Sequence, residues 1–127
     1  SVAGNANVTG NLGIGTTTPT AKLDVQGTVK IGSFGTVIQN IIKQNVSHNS
    51  FSIPANNTSF RSYFFPGIST ESAVMVSPAQ ALPAGVSIYA RVDDGADDTK
   101  VVSVYFVNGS GVSVNIPASQ LYIILIN

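Results

Sequence analysis

Two alternating runs decide the fold: Val86-Ser87-Ile88-Tyr89-Ala90-Arg91-Val92 and Lys100-Val101-Val102-Ser103-Val104-Tyr105-Phe106-Val107, joined through Asp93-Asp94-Gly95-Ala96-Asp97-Asp98-Thr99. Val86, Ile88, Ala90 and Val92 recur at every second position, as do Val102, Val104 and Phe106. A period of two belongs to a strand with one buried face. The Asp-Gly pair between the runs promotes a turn, so the two arms read as an antiparallel hairpin closed by an acidic loop. Ser87, Tyr89, Arg91, Ser103 and Tyr105 then fall on the opposite, outward face.

Outward from this hairpin, residues 37–46, 58–65, 73–77, 112–116 and 121–126 are further strand candidates. They are separated by turn chemistry such as Pro54-Ala55-Asn56-Asn57, Pro66-Gly67, Asn108-Gly109-Ser110-Gly111 and Pro117-Ala118-Ser119. About seven strands without a usable helical period predict a mainly β chain, with residues 36–127 forming a small antiparallel β-sandwich or jelly-roll-like tip domain. The last run, Leu121-Tyr122-Ile123-Ile124-Leu125-Ile126, is apolar on both faces. One face is expected to meet the core; the other meets a second layer or another subunit, as also in a central sandwich strand.

Residues 1–35 differ in composition. Glycine recurs at positions 4, 10, 13, 15, 27, 32 and 35 around the short alternating pairs Leu12/Ile14, Leu23/Val25 and Val29/Ile31. Strands with so few apolar side chains do not offset an ordering entropy of roughly 1 to 2 kcal/mol per residue, so the segment needs neighbours. Copies wound together would supply them, with the apolar pairs turned to a common axis and glycine at the corners. The physics points to an oligomeric shaft over residues 1–35 without fixing the number of chains.

The run Gly10-Asn11-Leu12-Gly13-Ile14-Gly15-Thr16-Thr17-Thr18-Pro19-Thr20-Ala21-Lys22-Leu23-Asp24-Val25-Gln26-Gly27-Thr28-Val29-Lys30-Ile31-Gly32 resembles the GIGT-x-x-P-x-A-K-L-D-V-x-G-x-V shaft motif. That motif occurs in trimeric bacteriophage tail fibres and related bacterial fibres, including the mosaic adhesive trimers of predatory bacteria. The resemblance implies an intertwined homotrimer, an adhesive tip that recognises a host or prey cell, and an extracellular address on a bacterial surface or a virion. In many such fibres a self-cleaving chaperone domain follows; the residues after Gly35 are too few and too strand-rich for that.

Composition narrows the function further. Charged residues are 9% of the 127 and sum to zero, leaving no basic stripe for nucleic acid. With no cysteine, disulfides, thiolate nucleophiles and cysteine-ligated metals are excluded. The longest apolar run, residues 121–126, is far short of the roughly 20 residues of a membrane-spanning helix, and no membrane insertion is expected. Ser1-Val2-Ala3-Gly4 lacks the basic start and apolar core of a signal peptide, as a piece of a longer fibre also would.

Catalysis finds little material. No serine sits in a Gly-x-Ser-x-Gly elbow, Glu71 is the only glutamate, and Asp24 is far from it in the shaft motif. The chain is expected not to be an enzyme and to need no cofactor. His48, the only histidine, could meet its copies on a three-fold axis around a metal, or simply be solvated or hydrogen-bonded. Asp93, Asp94, Asp97 and Asp98 concentrate oxygen ligands that could hold calcium, but the spacing is not that of an EF-hand and an exposed acidic hairpin is the simpler reading. Sugar-binding surfaces pair a flat ring with nearby polar groups. Tyr89, Arg91, Ser103 and Tyr105 form one such set, and Arg61 with Tyr63 a second. The same residue types also suit subunit interfaces. Two functions follow: an adhesin tip binding a surface glycan or envelope component, or a structural cap that registers the trimer.

Overall fold

Alternating β-branched and aromatic residues commit most of the chain to extended backbone. The computed structural model describes residues 3–127 and is mainly β, with one short 3₁₀ turn at Ala96–Asp98 and no α-helix among the described residues. The chain divides into two compact units between Asn40 and Ile41. The first holds β1 (Leu12–Ile14), β2 (Leu23–Val25), β3 (Val29–Lys30) and β4 (Val37–Ile38). The second holds β5 (Ile41–His48), β6 (Phe51–Ile53), β7 (Asn57–Phe64), β8 (Ala73–Pro78), β9 (Val86–Asp94), β10 (Lys100–Asn108), β11 (Val114–Ile116) and β12 (Ser119–Ile126).

In the first unit β1 and β2 pair in parallel, with Leu12 beside Leu23 and Ile14 beside Val25, so the four apolar side chains share one face. Backbone bonds from Leu12 to Lys22 and from Gln26 to Ile14, both 2.8 Å, frame the pair. The loop between them is tied locally: the amide and hydroxyl of Thr20 both donate to Asp24 Oδ2 at 2.9 Å, and Asn11 Nδ2 donates to the Pro19 carbonyl at 3.2 Å. Gly15 is required where it stands, because its φ is +78° and a Cβ there would lie 2.6 Å from the Gln26 carbonyl oxygen. β3 and β4 pair antiparallel. None of residues 3–40 is buried.

The second unit is built from two three-stranded antiparallel sheets, ordered β7-β10-β9 and β5-β12-β8, with β6 and β11 paired as a short ribbon. The sheets share one core: Val102, Val104 and Phe106 from β10 and Leu121, Ile123 and Leu125 from β12 are all fully buried. Ile53 from β6, Ile116 from β11 and Phe65, which follows β7, complete it. Burying each such side chain contributes about 1.5 to 3 kcal/mol, which makes this core the main source of the unit's stability. β12 is central in its sheet. Its outer face carries Tyr122, Ile124 and Ile126 beside the exposed Ile41 and Met75, so one side of this doubly apolar strand lies outside the chain's own core.

Two strands differ from the sequence expectation. The run over 37–46 is broken at Gln39-Asn40: its first residues pair with β3 and the rest becomes β5. The strand Phe51–Ile53 was not expected, since three residues between turns give too short a period to register.

A buried side chain pins the turns at one end. Asn108 is 1% exposed, and the two hydrogens of its Nδ2 are shared among three carbonyls, those of Ile53 at 3.1 Å, Pro54 at 3.0 Å and Val112 at 2.8 Å. Its Oδ1 accepts from the amide and hydroxyl of Ser110 at 2.9 and 2.6 Å. Replacing it takes a donor from the buried Ile53 carbonyl and releases the turn segments around Pro54, Ser110 and Val112. Asn108→Ala is expected to cost about 2 to 3 kcal/mol in denaturant unfolding of the second unit. An effect below half a kilocalorie, as for an ordinary surface substitution, would contradict this role.

Candidate functional site

Register on β10 assembles the outward face of the first sheet. Tyr105 stands between Tyr89 and Phe60, Ser103 between Arg91 and Ser62, and Val101 between Asp93 and Phe64. The sequence-derived set Tyr89, Arg91, Ser103 and Tyr105 is thus brought together on one face. Phe60, Ser62, Phe64 and Asp93 join it; parity along β7 carried the signal for the first three, once its register with β10 is known.

The three rings form a ladder. Tyr89 and Tyr105 stack with centroids 4.8 Å apart and planes 6° from parallel, and Phe60 lies 5.6 Å from Tyr105 at 32°. Tyr105 is therefore flanked by a ring on each side, and the open ring surfaces belong to Tyr89 and Phe60, 48% and 55% exposed. The Tyr105 hydroxyl donates to Asp93 Oδ2 at 2.6 Å and accepts from the Arg91 guanidinium at 3.1 Å. Arg91 Nε closes the triangle on Asp93 Oδ1 at 2.7 Å. Below them Ser103, 2% exposed, shares a 3.0 Å hydrogen bond with Ser62.

These contacts set the ionisation of the face. Burial pushes the Asp93 carboxyl up, but hydrogen bonds from Tyr105 and Ser103 and the charge of Arg91 outweigh it, leaving the pKa below the ordinary value. Asp93 as acceptor, reinforced by burial, raises the Tyr105 pKa.

Beside the ladder lies an open depression of about 510 Å³. Ser62, Val101 and Ser103 contribute from the sheet, Phe60 and Tyr105 flank one side, and Asp93, Asp94, Gly95 and Ala96 contribute from the acidic loop. The loop does not turn at its Asp-Gly pair. Gly95 is extended, with φ −90° and ψ −163°, while Asp97 and Asp98 take the left-handed conformations at φ 53° and 58°. Gly95 answers a close approach instead, since a Cβ there would sit 3.0 Å from the Val101 side chain. Asp94 pairs with Lys100, and Asp97 and Asp98 are exposed. No three His, Cys, Asp or Glu side chains converge on a metal-sized space among the described residues.

Arg61 and Tyr63 lie on the other face of β7. The Arg61 guanidinium sits 3.8 Å over the Phe51 ring and donates to the Phe60 carbonyl at 2.7 Å. Tyr63 packs against the core, its hydroxyl buried without a hydrogen-bond partner among the described residues, and burial raises its pKa. These two side chains are not brought to the face of Tyr89 and Tyr105. His48 is buried edge-on to Phe51 and Phe106, with Nδ1 3.0 Å from the Asn49 carbonyl oxygen. The cleft beside it has room of only about 10 Å³.

Comparison with known proteins returns no matching family model, no matching curated protein and no matching solved structure. Chemically, the face offers flat apolar rings, hydroxyls and carboxylate acceptors in an open dish. Asp93 is held ionised, the reverse of what a general acid requires.

Two outcomes test this geometry. Because its folded pKa is depressed, Asp93 stabilises the fold above the unfolded value near ~3.9, and that contribution disappears as pH falls through the lower folded value. Asp93→Asn should therefore reduce stability at pH 6 and flatten the acid limb of a stability-against-pH curve; an unchanged limb would exclude the network. Tyr63→Phe should leave stability unchanged or raise it by up to about 1 kcal/mol, because the buried hydroxyl gains no partner. A loss above that would require a bond that Tyr63 does not make here.

Proposed function

We propose that this chain is the distal end of a homotrimeric fibre adhesin on a bacterial surface or virion. On this reading the first unit is shaft and the second a sandwich-like tip, and the β7-β10-β9 face binds a cell-surface glycan without catalysing a reaction. The observation that carries the oligomer is the state of the first unit. Leu12, Ile14 and Leu23 are 43%, 54% and 59% exposed, and no residue from 3 to 40 is buried in a single chain. Ordered apolar strands without a core call for partners, and the shaft-motif resemblance supplies the number three.

The glycan reading is supported by the exposed ring of Phe60 beside the hydroxyl and carboxylate groups of the depression, the combination that grips a pyranose by its apolar face and its hydroxyls, with Tyr89 a second exposed ring across Tyr105. Three shallow sites on one particle gain by multivalency what each lacks alone.

A second reading, a cap that only registers the fibre, is favoured by the outer face of β5-β12-β8, where Ile41 and Met75 are 63% and 54% exposed next to Tyr122, Ile124 and Ile126. The two readings separate by face. Tyr89→Ala should reduce binding to a glycan array or to whole target cells at least tenfold while light scattering still reports a trimer. Met75→Lys with Ile124→Lys should weaken the trimer if that face meets another copy. Loss of assembly with Tyr89→Ala, and no binding by the intact trimer, would favour the cap. Leu12→Asp with Ile14→Asp is expected to yield monomers; a trimer in that variant would remove the shaft argument.

A further inference from the structure

We infer that the depression of the β7-β10-β9 face accepts an uncharged pyranose, a hexose or an N-acetylhexosamine, and discriminates against uronic and sialic acids; this rests on the glycan-binding reading and narrows it. The argument is one of charge. Asp93 and Asp94 line the depression, and Asp97 and Asp98 stand in the same loop, so four carboxylates belong to this end of the sheet. Among the described residues two cations, Arg91 and Lys100, oppose them, and both are paired. Arg91 is held by Asp93 at 2.7 Å and by the Tyr105 hydroxyl at 3.1 Å; Lys100 is paired with Asp94 and lies in the field of Asp98. The other cation of this sheet, Arg61, lies on its opposite face over Phe51.

An anionic sugar would enter a net negative site whose two cations are already neutralised by carboxylates, whereas acidic-glycan sites rely on an unpaired Arg or Lys for bidentate or point-charge pairing. An uncharged sugar meets suitable chemistry. Each carboxylate retains lone pairs beyond those its partners use, and accepts from sugar hydroxyls. Ser62 adds an exposed hydroxyl beside Ser103, and the exposed ring of Phe60 offers an apolar surface at the rim. At about 510 Å³ the space falls within the ~300 to 1,000 Å³ of small-ligand sites, although it is open on one side.

Matched sugar pairs isolate the charge. The full chain is titrated, by calorimetry or ligand-observed NMR, with N-acetylglucosamine, with the methyl glycosides of glucose, galactose and mannose, each against its uronate, and with N-acetylneuraminic acid against its uncharged methyl ester. The expected result is at least one uncharged sugar bound tenfold or more tighter than its acidic counterpart, with the gap narrowing in high salt. Asp97→Asn with Asp98→Asn preserves residues that tolerate the left-handed conformation, and should also narrow the gap. A uronate or sialic acid bound as tightly as its neutral counterpart would overturn the inference and leave the glycan reading standing. A gap unchanged by salt and by the double substitution would overturn the charge argument. Failure of every sugar to bind at millimolar concentration would overturn both the inference and the reading beneath it.

Discussion

The second unit depends on the parity of one strand. β10 is central in its sheet, and its residues alternate between Val102, Val104 and Phe106 in the core and Val101, Ser103 and Tyr105 outside. β12 repeats the arrangement in the other sheet with Leu121, Ile123 and Leu125. Each central strand fixes the register of two neighbours, so the two parities determine which residues of β5, β7, β8 and β9 face inward. A one-residue slip of β10 would place Ser103 and Tyr105 in the core and expose Val104 and Phe106, which the burial energy forbids.

That register also shapes the outer face. The Arg91–Asp93 pair is surface-exposed on the arginine side, where solvent screens it, and by itself adds little to stability. Its importance is positional. By fastening the Tyr105 hydroxyl it holds the middle ring of the ladder upright, and the stacked Tyr89 is held with it. The ring with the most partners is thus the least available to a ligand, and the rings on the two edge strands, Tyr89 and Phe60, are left as contact surfaces.

Alternation in Val86–Asp94 and Lys100–Asn108 was enough to pair these strands and to place Tyr89, Arg91, Ser103 and Tyr105 on one face. The segment Phe60-Arg61-Ser62-Tyr63-Phe64-Phe65 was harder, because aromatic residues occupy both parities and either face reads as amphipathic. Only pairing with β10 decides that Phe60 and Phe64 face out while Arg61 and Tyr63 face in. The acidic loop misled for a different reason: an Asp-Gly pair signals a turn, but close packing against Val101 decides where glycine is needed, and two aspartates take the left-handed positions instead. Asn108 lies among turn residues in the sequence, and nothing local marks it as the most connected polar side chain of the unit, since its partners come from β6 and the segments around it.

The two units differ in how they meet the same thermodynamic demand. The second places nine side chains in a core that a single chain can close, and this core works against its ordering entropy. The first orders short strands through backbone pairing and local ties such as Thr20 to Asp24, yet leaves its apolar residues at the surface. Covalent linkage then couples the two on the proposed reading. Whatever assembles the first unit necessarily gathers several copies of the second, and with them several copies of an open dish. An open site leaves much of a small ligand in water and binds it weakly. On that reading, gathering such sites raises avidity without adding a contact, and the incomplete core of one unit serves the shallow site of the other.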